Sequence, residues 1–169
     1  KYTGAQGKNF IKTTFQESKN IVDNILDINI VKLADSSDNL IAIGWLAKTS
    51  YLGSIYDRSV KGIRLRKGNI LIGDHQTLNV VFKDARFNGW SIGEIFAVDS
   101  KLIPNARRDN FEKNPSYFLL VEQLTTIASA ITKDIRSASL NRNADLSNAL
   151  AQYEKVQRDA TSALNDGVA

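Results

Sequence analysis

The chain of 169 residues has no cysteine and no methionine, and carries one histidine and two prolines. Without cysteine there is no disulfide framework and no thiolate metal site, and a reducing compartment is the expected setting. One histidine leaves a zinc cluster short of ligands and a Ser-His-Asp triad only formally open. No run approaches the roughly 20 continuous apolar residues that cross a bilayer, so no membrane partner is expected. The start lacks the charged, apolar, small-residue series of a signal peptide. Because it opens on Lys1, the chain is expected to be a piece of something longer. Also missing are a GxxxxGK[ST] loop and a GxGxxG between strand and helix, so there is no nucleotide cradle of its own. No internal repeat or low-complexity segment is visible. The net charge is +4, and its cations are spread from end to end, which permits a nucleic-acid or acidic partner without marking one.

What is present reads as a sheet followed by helix. Residues 1–8 hold two glycines and no apolar periodicity, a frayed lead-in. Over 9–24 the apolar set Ile11, Phe15, Ile21, Val22 and Ile25 recurs at helical spacing and predicts an amphipathic helix. Residues 27–33 and the mostly apolar 40–47 predict two strands, joined as a hairpin by the turn formers Asp35-Ser36-Ser37-Asp38-Asn39. After a loop over 50–59, Lys61-Gly62-Ile63-Arg64-Leu65-Arg66 alternates strictly, which puts Ile63 and Leu65 in the core and both arginines outside. Residues 69–72 resume as strand until Gly73-Asp74 closes it, and Leu78, Val81 and Phe82 share one helical face. A last strand is expected over 90–98. Asn114-Pro115 is a helix start, with asparagine at the cap and proline in the first turn. Leu120, Leu124, Ile127, Ala128, Ile131 and Ile135 then form a stripe. Asn141-Arg142-Asn143 is read as a break, and a second helix over 145–165 carries a thin heptad seam of Leu146, Ala149, Tyr153, Val156, Ala160 and Ala163, stopped by Gly167. The expected class is α/β (α+β): a mixed sheet covered by helices over 1–113, then a helical hairpin over 114–169.

Chemistry concentrates in residues 86–112. There a strand runs out through Asp99-Ser100, Ile103-Pro104 sets an extended turn, and Asn105-Ala106-Arg107-Arg108-Asp109 follows with nothing large enough to bury. Two adjacent guanidinium forks at a strand exit suit an anion, phosphate or carboxylate. The plainer alternative is a solvated loop whose arginines pair with Asp109 or Glu112. An arginine without a nucleotide cradle acts on a ligand held elsewhere, which is the logic of an arginine finger. His75 is a formal general base against the plainer reading of an incidental loop residue. Arg64 and Arg66, with Lys61 and Lys67, make a basic strand edge that contacts an anion or merely blocks edge pairing. Trp90 is read as core, and Glu94 as a solvent residue or a partner of these arginines.

The series Gly62-Ile63-Arg64-Leu65-Arg66, Asn69-Ile70-Leu71-Ile72-Gly73-Asp74, Arg86-Phe87-Asn88-Gly89-Trp90 with Ile92-Gly93-Glu94, and Leu102-Ile103-Pro104-Asn105-Ala106-Arg107-Arg108-Asp109 resembles the middle domain of ATPases related to the ninety-kilodalton heat-shock chaperones, of the GHKL superfamily. It covers about residues 39–112. The resemblance implies a ribosomal-protein-domain-like transducer fold with a left-handed βαβ crossover. It implies that Arg108, with Arg107 as the alternative, reaches the γ-phosphate of ATP bound with Mg in a separate N-terminal ATPase domain of the same chain, while Asn105 shapes the loop and contacts the nucleotide. It further implies a cytoplasmic, stress-response chaperone setting, client proteins and a dimer in the full-length molecule. Departures from the family's loop are Arg107 in place of a serine and Glu112 in place of a glutamine. Two other expectations are a nucleic-acid-binding module using Arg64, Arg66, Arg107 and Arg108, and an interaction scaffold built on the C-terminal helices.

Overall fold

The computed structural model describes residues 10–12 and 22–166, with side chains over 23–162. Two units divide the chain, residues 1–135 and 136–169. In the first, strands β1 (Phe10–Lys12), β2 (Val22–Ala34), β3 (Leu40–Thr49), β4 (Gly62–Lys67), β5 (Ile70–Ile72) and β6 (Ile92–Ala97) form a sheet. Its order is β1-β2-β3-β6-β4-β5, a five-stranded mixed body with the short β1 paired to the start of β2. β6 lies at the centre, antiparallel to β3 and parallel to β4.

The β2–β3 hairpin closes as its turn chemistry requires. The Asp35 carboxylate accepts from the backbone nitrogens of Ser37 at 2.8 Å and Asn39 at 2.9 Å, and Asp38 takes a left-handed φ of 62°. Ile30 sits opposite Trp45. Period two then separates the faces. Leu33, Ala42 and Leu46 are buried on one; α1 (Pro115–Asp166), tied to the end of β2 by Gln123 Nε2 donating to the Ala34 carbonyl, buries Leu120, Leu124, Ala128, Ile131 and Ile135. On the other, a cluster of Ala47, Ile55 and Ile92 is covered by the 50–61 loop, while Ile28 and Ile30 are exposed.

The apolar half of the alternation over 61–66 holds, with Ile63 and Leu65 3% and 1% exposed, but Arg64 and Arg66, expected outside, are half-buried and bonded within the fold. Asn114 caps α1, accepting from the Tyr117 nitrogen at 3.0 Å.

Five expectations are corrected. The helix expected over 9–24 is strand at Phe10–Lys12 and from Val22 onward; pairing with neighbouring strands overrides the helical spacing there, and residues 13–21 lie outside the described residues, as do 1–8 and Gly167. The C-terminal hairpin is instead one continuous helix of 52 residues. Asn141-Arg142-Asn143 holds no glycine or proline, and two asparagines cost a helix only tenths of a kcal/mol each, ~1 kcal/mol in all. The sheet is covered by α-helix on one face only among the described residues. The βαβ link expected between the parallel strands is built from β5 and two 3-10 turns, Thr77–Val81 and Ala85–Trp90, without an α-helix. Trp90 therefore ends a turn and is half-buried, and the strand starts at Ile92.

Candidate functional site

The arginine pair stands at the tip of a small two-stranded excursion. Its legs close through Asn105 N to Asn110 O at 2.9 Å and Glu112 N to Ile103 O at 2.8 Å, with Pro104 bridged to Phe111. Leu102 and Phe111 root the legs, 0% and 2% exposed. Asn110 donates to the Tyr117 hydroxyl at 3.4 Å, and Asn114 donates to Lys101 O at 2.7 Å, so the loop is tied to the start of α1. Asp99, at the strand exit, accepts from the Lys101 nitrogen at 2.9 Å, and its carbonyl accepts from Lys67 Nζ at 2.6 Å. The Lys101 backbone bond, helped by the Ser116 hydroxyl and the Lys101 and Lys67 charges, holds its carboxyl below the ordinary value.

The tip is more constrained than its polarity foretold. Asn105 and Asp109 clasp each other, Nδ2 to Oδ1 at 2.7 Å and the Asp109 nitrogen to Asn105 Oδ1 at 3.2 Å. Arg108 has φ 56°, a left-handed conformation that costs a residue bearing a Cβ about 1–2 kcal/mol. What holds it is a pair of backbone bonds: its nitrogen donates to Asn105 O at 2.9 Å and its carbonyl accepts from Gly73 N at 2.8 Å. Gly73 is itself at φ 67°. A Cβ there would lie 1.9 Å from Thr77 Oγ1 and 2.7 Å from Asp109 O, so only glycine lets the β5 exit press against the loop.

The two guanidinium groups are not equivalent. Arg107 pairs with Asp109 at 2.9 Å, both side chains well exposed, a contact of the weak surface kind. Arg108 is exposed and forms no ion pair among the described residues. A fork of five donors held at a fixed backbone position, with no carboxylate upon it, is available to an anion brought by another surface. Asn105 differs, because its amide is engaged by Asp109 in both directions.

The sheet arginines are spent inside the fold. Arg66 binds Glu94 at 2.7 Å, Glu94 also accepts from Trp45 Nε1 at 3.3 Å, and Arg64 donates to the Arg58 carbonyl. His75 is half-buried on the turn after Gly73, its carbonyl accepting from Asn88 Nδ2 at 2.9 Å. Asn88, fully buried, also accepts from Ile63 N at 2.9 Å and donates to Asn79 Oδ1 at 2.8 Å, locking β4 to both 3-10 turns. Gly73 as the clamp on the loop was missed by sequence reasoning; the only signal was a Gly-Asp pair closing a strand 34 residues before Arg107. No cluster of His, Cys, Asp or Glu able to hold a metal ion occurs among the described residues, and none of their helices is long and apolar enough to cross a membrane. Comparison of the chain with protein-family models, curated proteins and solved structures finds no match.

Proposed function

We propose that this chain is the middle, transducer-like part of an ATPase or molecular chaperone of the ninety-kilodalton heat-shock, GHKL kind. In this proposal Arg108 completes the site of an ATP and its Mg held in a separate N-terminal domain, and the sheet passes nucleotide state to clients or later domains. One observation carries the proposal. Arg108 is an exposed guanidinium with no ion pair among the described residues, whose backbone is held in a left-handed conformation by Asn105 and Gly73, and strain of this kind concentrates where a side chain must be aimed. Arg107, already partnered by Asp109, serves to hold the tip. An arginine finger stabilises charge that develops on the transferring phosphoryl group more than it binds the ground state. In the parent protein, Arg108→Ala is therefore expected to lower turnover by about a hundredfold or more with little change in nucleotide affinity. Single-turnover hydrolysis beside equilibrium nucleotide binding measures both, and unchanged turnover defeats the proposal.

The nucleic-acid alternative loses two of its four arginines to internal bonds, Arg66 to Glu94 and Arg64 to Arg58. A second reading, a helical interaction surface, is favoured by a separate observation: Leu146, Leu150, Tyr153 and Val156 are 55–66% exposed along one helix, an apolar seam of the sort that pairs with another helix.

A further inference from the structure

A hollow of about 320 Å³ opens between the 50–61 loop, the turn after Gly73 and the 3-10 turn Ala85–Trp90, with Ser54, Arg58, Lys61, His75, Arg86 and Gly89 among its lining residues. Three of these side chains are cations, and no carboxylate lines it. Gathering like charges round one hollow is unfavourable without a counter-charge, and among the described residues only Arg86 has one, from Asp84 at its rim, while Arg58 and Lys61 have none. We infer that this cleft binds the phosphate group of a small phosphorylated molecule, independently of the function proposed for the arginine loop.

The walls are built, not incidental. Ile55 N and Ser54 Oγ both donate to the Gly89 carbonyl, at 2.8 and 3.3 Å, stitching the 50–61 loop to the 3-10 turn. The turn before β4 is closed by Lys61 N and Val60 N on the Asp57 carbonyl, at 2.9 and 3.1 Å. Asp57 Oδ1 accepts from Ser59 N at 2.7 Å, and Asn88 holds the His75 carbonyl from below. Lys61 reaches the hollow by lying over Gly89: a Cβ at that position would come 2.8 Å from its Cε and 3.1 Å from Ser54 Oγ. The stem of a lysine packed on a bare Cα has lost part of its freedom before any ligand arrives, which lowers the ordering cost of binding. The ammonium of Lys61 and the guanidinium of Arg58 form no ion pair among the described residues. Arg86 is oriented on two sides, by Asp84 Oδ2 on its Nε at 2.7 Å and by the Phe87 ring at 5.0 Å, so the outer nitrogens of its fork are free to complete the cradle.

The volume is at the lower end of small-ligand sites, about 300 Å³ and upward. It suits a phosphate with a modest organic group attached, and the surrounding donors (two guanidinium groups, an ammonium, a hydroxyl and an imidazole) suit the phosphate end. A single histidine in the chain makes the cleft readable, because His75 alone supplies imidazole resonances. Titration of the 169-residue protein with inorganic pyrophosphate, followed by those resonances and by calorimetry, is expected to shift them with a Kd below about 1 mM. Lys61→Ala and Arg58→Ala each weaken binding by about tenfold or more, as for loss of a charge-assisted bond, while Arg108→Ala leaves it unchanged. Lys61→Gln, which keeps most of the stem over Gly89, is expected to lose binding like Lys61→Ala, with a melting temperature equal to that of the unaltered protein. Absence of a His75 shift overturns the inference, as does binding indifferent to Lys61. Duplex DNA displacing pyrophosphate at far lower concentration overturns it too, and assigns the cleft to a nucleic-acid backbone.

Discussion

The two halves of α1 carry the same kind of apolar residue at the same kind of spacing, and they end in opposite environments. Before residue 136, Leu120, Leu124, Ala128, Ile131 and Ile135 are each 9% exposed or less; after it, Leu146, Leu150, Tyr153 and Val156 are each at least 55% exposed. Helix propensity is satisfied in both, so the secondary structure is alike. The difference is a facing surface. The first half is tied to the sheet through Gln123 and the Ala34 carbonyl, and about 25 cal/mol accrues for each Å² of apolar surface removed from water. Within the second unit the stripe has only its own helix.

That contrast can be tested by taking the two stripes apart. Leu120→Ala removes a side chain that is 1% exposed and is expected to destabilise the fold by about 2–5 kcal/mol in urea unfolding, the cost of a core cavity. Gly73→Ala, at φ 67° and in contact with Thr77 and Asp109, is expected to cost about 1–3 kcal/mol. It also speeds amide hydrogen exchange at position 73 and at Arg108, which reports release of the loop. The pH dependence comes from the same unit. Burial, reinforced by the Asp134 and Asp23 charges, pushes the Tyr51 hydroxyl up from 10.0 to about 12. The folded state therefore favours the protonated phenol, so its contribution is complete below pH 10.0 and is lost as pH rises through about 12. Thermal melting is expected to show that fall, and Tyr51→Phe to flatten it. The smallest effect belongs to the other stripe: Leu150→Ala is expected to change stability by less than about 0.5 kcal/mol in dilute protein. A melting temperature that rises with protein concentration, and loses that dependence in Leu150→Ala, would give the exposed seam a partner and erase the contrast.

Local chemistry made several parts of the molecule legible before any coordinates. The Asp35–Asn39 turn, the alternation that buries Ile63 and Leu65, and the Asn114 cap each depend on a few neighbouring residues, and each stands as its pattern predicted. Glu94 was open between solvent and an arginine partner, and its bond to Arg66 resolves that. Over 9–24 the same kind of pattern misled, because Ile11, Val22 and Ile25 at helical spacing also fit strands, and their pairing with a neighbour outweighed it. At 141–143 three polar residues imitated a loop, but a helix needs glycine or proline, or a competing contact, to end.

By itself the sequence determined where strands reverse, where α1 begins and which loop holds unburied arginines, since those depend on steric and hydrogen-bonding preferences of adjacent residues. Only the tertiary structure decided that Gly73 clamps Arg108, that Arg58, Lys61, His75 and Arg86 surround one hollow, and that one half of a helical stripe is covered while the other is bare. Each of these joins segments distant along the chain, and the free energy of such contacts belongs to the pair of surfaces, not to either stretch of residues.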